Sequence, residues 1–378
     1  MVDNTVEFVV ATADGEVRTI NECNNLDLFW ATRGGGGGSI AVLTKYRVQV
    51  YPSLPIHVFT SNAKLTGTDP DSALRGILIA HVTHRLEWSA QLLTGQLEYF
   101  SDKVKLSLVL PYADDGTKLK RATNSIRQLL SNRTDIAITM NRYDSYSSYA
   151  SYLSITAADA KVTEPSGIST SLASRLIPRK IFAEPETIDE LVEGVLHGIV
   201  TARRLLNLTG PQIVLETPVS NPDWAHATSA NPAWRDSLWH VIHAGEWVGS
   251  LDESEVQTAA DGFLKMLDPL RALTPGDGAY LNEAHYLEPN WKQTFFGSLY
   301  DRLAAVRNTY NPSHLFDFYK CSVLFVLQVM NKSANRKHSH RFATSAGAWP
   351  FEGFDEWPME ETPGGLHWYV VNGKSVDR

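Results

Sequence analysis

The apolar-rich residues 6–10 and residues 16–20, which end in Ile20, read as two strands, and Ala13-Asp14-Gly15 stands between them, which predicts a β-hairpin turning at Asp-Gly. Residues 26–30 are an apolar run preceded by Asn24-Asn25, predicting a short helix capped by one of those asparagines. A strand pattern returns over residues 40–50 and stops at Tyr51-Pro52. These first 52 residues form a dense piece of sheet too small to be an independent domain.

The period changes from about residue 73. Residues 73–93 have helical apolar spacing, 96–100 and 105–110 read as adjacent strands, and 116–132 is again helical. Residues 188–205 predict an amphipathic helix, 212–216 a strand, and 238–248 a strand rich in Trp, Val and Ile. Strands and helices in this order, around an antiparallel sheet, predict an α+β domain over roughly residues 55–275. One helix is predicted over 291–310, stopped by Asn311-Pro312. An apolar stretch at 322–330 precedes a polar tail, punctuated by Gly and Pro, with no sustained period; it is expected to be poorly ordered.

Between the first helix and the strand that follows lie five consecutive glycines, Gly34, Gly35, Gly36, Gly37 and Gly38. Without Cβ atoms this backbone can adopt φ > 0 and lie directly against a flat or phosphate-bearing ligand. Glycine runs also serve as flexible linkers, but both flanks here are apolar, which predicts a buried turn between packed elements. A P-loop would need Lys-Ser/Thr after the glycines, and a dinucleotide fingerprint would need a helix. A strand follows instead, so neither motif is present.

The 378 residues suffice for two domains, and 43% hydrophobic with 20% charged residues is ordinary for a globular chain. A net charge of -8 without a basic patch argues against nucleic acid or an anionic membrane surface as partner. No run of apolar residues is long enough to span a bilayer. Cys23 and Cys321 have no metal-ligand spacing, so neither a zinc site nor a disulfide framework is expected. The N-terminus lacks the basic and apolar regions of a signal peptide, and three glycosylation triplets are near chance for this length; the compartment stays open.

Several ordered motifs then resemble one family. Asn25-Leu26-Asp27-Leu28-Phe29-Trp30-Ala31-Thr32-Arg33 leading into the glycines is similar to the later part of the flavin domain in berberine-bridge-enzyme-like FAD-linked oxidoreductases. Tyr280-Leu281-Asn282-Glu283-Ala284, Phe295-Phe296-Gly297, Tyr300-Asp301-Arg302-Leu303 and Tyr310-Asn311-Pro312 resemble the family's closing motif in its fungal style. Ser174-Arg175-Leu176-Ile177-Pro178 and Asn231-Pro232-Ala233-Trp234-Arg235 agree as well.

The resemblance implies a flavin domain of the vanillyl-alcohol-oxidase (PCMH) type that binds FAD, and an α/β substrate domain whose antiparallel sheet covers the isoalloxazine. On this chain it implies residues 1–55 as the later part of the FAD domain, 56–278 as the substrate domain, 279–320 returning to the FAD domain, and 321–378 as an atypical tail. The family's first flavin subdomain would lie before Met1, so a truncated chain is expected. Ile40-Ala41-Val42-Leu43-Thr44 replaces the family's Phe-Gly-Val-Val-Thr, putting a methyl where the backbone would approach the cofactor.

For cofactor contact the resemblance implies the five glycines, Val42, Tyr280 and Asn282; a strand would bring the last two to one face, and an amide suits the flavin's pyrimidine edge. The glutamate base of plant members aligns near His226 or Ala227, which leaves His226 as candidate base, or as a surface loop residue. Trp234 and Arg235 are candidate pocket residues, or a structural pair; Tyr143, Tyr146 and Tyr149 line a pocket or belong to the core. Two functions follow. One is an FAD-dependent oxidoreductase acting on a small alcohol, sugar or secondary metabolite, with O2 as acceptor and oligomeric state open. The other is a truncated, non-catalytic homologue unable to retain FAD.

Overall fold

A computed structural model describes residues 2–100, 102–111, 116–159, 168–205, 212–217, 226–248, 253–316, 360–361 and 367–372. They divide into two compact units, the first drawn from Met1–Pro52, Ala227–Ala230 and Tyr300–Arg378, the second from Ser53–His226 and Asn231–Leu299.

The first unit is built on the predicted hairpin. Strands β1 (Thr5–Ala11) and β2 (Val17–Asn21) pair antiparallel, and β3 (Val42–Gln49) joins the other side of β1. Helix α1 (Leu26–Thr32) buries Leu28, Phe29, Trp30 and Ala31. Its N-cap is Asn25, as expected, but Asn25 takes a left-handed conformation (φ 50°) and its side chain caps nothing. The expected tail lies outside the described residues, apart from two short strands, Glu360–Glu361 and His367–Asn372; the second pairs antiparallel with β3.

The second unit is a seven-stranded sheet with helices on one face. In chain order it comprises β4 (Ile56–Leu65), α2 (Pro70–Ala90), β5 (Thr94–Tyr99), β6 (Lys103–Pro111), α3 (Thr117–Asn132), β7 (Ile136–Tyr146), α4 (Tyr149–Asp159), β8 (Ile168–Pro178), α5 (Pro185–Arg204), β9 (Gln212–Glu216), β10 (Ser237–Val248), α6 (Glu253–Met266), α7 (Asp268–Leu273) and α8 (Trp291–Phe296). The strands run in the order β7-β4-β6-β5-β9-β10-β8, and every pairing is antiparallel. Strands β4, β7 and β8 were not expected. Two of them are edges and the third mixes Ser, Asn and Lys with its apolar positions, so none shows a β-branched run.

Alternation sorts the sheet's side chains. Phe59, Leu108, Leu97, Val214, Trp239 and Ile177 join the core with Leu74 and Ile77 of α2, Ile126 of α3 and Val195 of α5. The register then places Thr60, Ser107, Gln96, Leu215, His240 and Leu176 in one row across the opposite face. Asp69 caps α2 by accepting from Ser72 N–H at 3.0 Å. Trp88 Nε1 donates to Ala122 O at 2.9 Å and ties α2 to α3. Buried Arg85 donates to the carbonyls of Thr217 (2.8 Å) and Leu238 (3.1 Å), fixing the ends of β9 and β10.

The single helix predicted over 291–310 is broken. Helix α8 ends at Gly297, whose φ is +59°, and α9 (Tyr300–Tyr310) begins after a 3₁₀ turn. A Cβ on Gly297 would stand 3.0 Å from Asn231 Oδ1 and 3.1 Å from Pro232, so a partner some sixty residues upstream fixes the break.

His243 on β10 is fully buried beneath α5; its Nδ1 lies 2.8 Å from Gln212 Oε1, and Gln212 donates to Ala244 O at 2.8 Å. A Cβ on Gly198 of α5 would fall within the His243 ring's contact radius. Alanine favours a helix interior over glycine by about 1 kcal/mol, but overpacking costs about 1–3 kcal/mol. Gly198→Ala is therefore expected to destabilise the chain in urea titration, and to become stabilising in a His243→Ala background. Burial also lowers His243 and His240 to about 3. A depressed folded pKa contributes stability that is present above pH 6.5 and lost as pH falls toward 3. The unfolding midpoint should drop across that window, less steeply in His243→Gln.

Candidate functional site

In the first unit the glycine turn has two halves. The segment Ala227–Ala230 closes over its start: Ser229 N–H donates to Arg33 O (3.1 Å), Ser229 Oγ to Ala31 O (2.8 Å), and Arg33 NH2 to Ala227 O (2.8 Å). Arg33 also lies 4.1 Å over the Phe29 ring, and burial lowers its pKa. Gly34, at φ +126°, leaves no room for a Cβ against the Ala230 backbone, and a Cβ on Gly35 would meet Leu303 at 2.6 Å. Gly34 and Gly35 are therefore packing residues.

Gly37 and Gly38 are exposed, and a Cβ on either would meet none of the described residues within 4 Å. Ser39 Oγ donates to Gly36 O at 2.8 Å and holds the turn's exit, and Val42 follows with 51% of its surface exposed. The result is a side-chain-free ledge beside an exposed aliphatic. That geometry fits a flat apolar ring system, which needs backbone approach on one side and dispersion contact on the other. Helix α9 packs on α1: Arg302 sits 3.9 Å over Trp30, and Tyr310 Oη donates to Asp27 at 3.0 Å.

In the second unit a cluster of aromatic and ionisable groups gathers on β10. Gly278 O accepts from the outward N–H of Leu176 on edge strand β8 at 2.8 Å, and buried Arg175 donates to Thr274 Oγ1 (2.8 Å) and Thr274 O. Thr294 O accepts both Ala279 N–H (3.0 Å) and Asn231 Nδ2 (2.8 Å), while Asn231 Oδ1 caps the 3₁₀ turn Pro232–Arg235 through Ala233 N–H (3.0 Å). These bonds deliver Trp234 and Tyr280 to His240. The three rings meet edge to face, with centroids 5.3 Å (Trp234–His240), 5.6 Å (Trp234–Tyr280) and 5.9 Å (His240–Tyr280) apart.

Tyr280 and Asn282 do not sit on a strand: Tyr280 precedes the 3₁₀ turn Leu281–Glu283. They nevertheless meet, with Asn282 Nδ2 donating to Tyr280 Oη at 2.8 Å. The same turn brings Glu283 Oε2 to 3.6 Å from His240 Nδ1. Burial raises the Glu283 pKa and lowers that of His240. Neither residue was singled out from the sequence; His240 alternates with apolar neighbours in a buried strand, and only the return of residues 278–284 onto β8 makes it a site.

The other candidates scatter. His226 is exposed. Arg235 is buried on the same turn as Trp234. Tyr143 lies on the helix-covered face, stacked on Phe59 at 4.8 Å and sharing a 2.8 Å hydrogen bond with Thr123, which is the core alternative. Tyr149 is exposed, and Tyr146 packs edge to face on Tyr152. Among the described residues no group of three or more His, Cys, Asp or Glu could hold a metal, and no helix is long and apolar enough to cross a membrane.

Residues 279–320 match the family model described as Berberine and berberine like. The FAD-linked oxidoreductase ZEB1 of Gibberella zeae is 26% identical over 83% of this chain and 53% of its own length. The VAO-type flavoprotein oxidase VAO615 of Thermothelomyces thermophilus is 27% identical over 83% and 53%. The structure of the VAO-type flavoprotein MtVAO713 from Myceliophthora thermophila C1 superposes with a TM-score of 0.71 at 20% identity, over 85% of this chain and 57% of that one. A glucooligosaccharide oxidase from Acremonium strictum gives 0.62 at 16% identity, over 85% and 66%. The fold is thus α+β of the VAO type, as expected. The chain spans about half the length of the curated relatives it matches.

The two halves of the glycine turn should respond differently to substitution. Gly34→Ala is expected to cost about 2–4 kcal/mol in chemical denaturation, because backbone must move. Gly37→Ala should stay within about 0.5 kcal/mol of the parent. Equal losses at the two positions would show that the whole run is packing.

Proposed function

We propose that this chain, whose residues 279–320 match the Berberine and berberine like family model, is an FAD-dependent oxidoreductase acting on a small alcohol, sugar or secondary metabolite, with O2 as electron acceptor. The observation that carries the cofactor half is the open ledge at Gly37, Gly38 and Val42. On the first unit those residues would hold the flavin. FAD supplies a two-electron acceptor when bound.

The substrate reading rests on the partly exposed stretch of the sheet row opposite the helices, Thr60, Ser107, Gln96 and Leu215. Thr60, Ser107 and Gln96 give hydroxyl and amide groups, and Leu215 gives apolar surface. Such a mixed floor suits a ligand with hydroxyls at one end and a hydrocarbon or ring face at the other. The relatives' names are consistent with this breadth, since one structural neighbour is a glucooligosaccharide oxidase.

The purified chain, incubated with FAD and desalted, is expected to keep the flavin's visible absorbance. Gly37→Val should lower flavin affinity about tenfold, equivalent to about 1.4 kcal/mol, with the unfolding midpoint of the apo chain unchanged. A folded but colourless parent chain would assign it to the alternative, a homologue that keeps the fold without retaining FAD.

A further inference from the structure

Two glutamates stand five positions apart in the segment that crosses β8, and their surroundings are opposite. Glu288 is buried and saturated: Arg271 Nε and NH2 reach its two oxygens at 3.0 and 2.6 Å. Such a bidentate pair is a structural clamp. Among the described residues Glu283 has no such partner. Its Oε2 is buried without a hydrogen bond, and among the described residues its one ion-pair contact is His240 Nδ1 at 3.6 Å, longer than a hydrogen bond. About a third of its side chain, 35%, remains exposed, whereas that of His240 beneath it is 2% exposed.

We infer that Glu283 is the catalytic proton acceptor of this chain and that His240 is its positioning residue. The assignment rests on the oxidoreductase reading above and names the base that reading lacks. A carboxylate kept for structure is normally hydrogen-bonded to saturation, because an unmade bond at a buried oxygen is costly. One held half-open, with a buried imidazole 3.6 Å from its inner oxygen, is poised toward whatever enters from the exposed side. The acid–base step balances within itself: a substrate hydroxyl O–H bond breaks, a carboxylic O–H bond forms on Glu283, and the bonding pair stays on the substrate oxygen.

Electrostatics agree in sign. Burial raises Glu283, making it a stronger base than a surface glutamate, and lowers His240 to about 3, so His240 is neutral at physiological pH and supplies no charge to reverse this. The groups around Glu283 are His240 from β10 and Tyr280 on its own turn; Arg175 of β8 is committed to Thr274, and Arg235 is buried on the Trp234 turn.

The test uses the full chain reconstituted with FAD, with glucose and benzyl alcohol as probes, and a carbon-13 carboxyl titration read with and without flavin. Glu283 is expected to titrate above the ordinary glutamate range. Glu283→Gln should retain flavin and fold, yet lose at least about 100-fold in kcat/KM together with the acidic limb of the pH profile. Glu283→Asp should restore part of the rate. His240→Asn should move the limb without removing it, a response that a merely structural contact would not give. An ordinary Glu283 titration, or Glu283→Gln turnover within about threefold of the parent, overturns the assignment. Flavin retention reports separately on the oxidoreductase reading: a parent chain without flavin overturns both, whereas flavin bound beside an ordinary Glu283 overturns the assignment alone.

Discussion

The carbonyl oxygen of Thr294 takes two donors, Ala279 N–H and Asn231 Nδ2, and most of the second unit's chemistry is arranged around that atom. Asn231 spends its other end capping the turn that carries Trp234, and Ala279 leads directly into Tyr280. One buried carbonyl therefore ties three stretches of chain that are far apart in sequence. Each bond alone contributes about 1 kcal/mol net, but losing either would leave a buried partner unpaired, which costs more. Gly278 shows how little slack remains: a Cβ there would lie 2.5 Å from Asn231 Nδ2 and 3.0 Å from Thr294 O.

Beside this rigid junction sits a group left deliberately under-paired. The contrast between Glu288 and Glu283 is a contrast of solvation as much as of partners. Glu288 gains from a guanidinium what it loses in water, while Glu283 gains only a distant imidazole. Such incomplete compensation costs stability, and folded chains tolerate it chiefly where reactivity is wanted.

Local pattern made some of this legible and tertiary contact concealed the rest. The hairpin at Asp14-Gly15, the helices α2, α3 and α5, and strands β9 and β10 announce themselves through period and turn chemistry, so the α+β class follows. The family motifs mark Trp234, Tyr280 and Asn282, and the structure brings Trp234 and Tyr280 to one ring cluster, with Asn282 bonded to Tyr280. Five identical glycines, however, cannot reveal that Gly34 abuts Ala230 while Gly37 abuts none of the described residues. Nor can the helical period of residues 291–310 show the break at Gly297, which Asn231 and Pro232 impose from a distance. His240 is hidden for the same reason: its neighbours on β10 make it look like one more buried strand residue.

The bond from Leu176 N–H to Gly278 O has a second consequence. Strand β8 is a border of the sheet, and a border presents backbone donors that a strand from another molecule can capture. Here one of those donors is already taken by the segment that carries Tyr280 and Glu283. Loosening that segment would therefore uncover a sticky margin at the same moment as it dispersed the ring cluster. The sheet border and the ring cluster are held by the same few atoms.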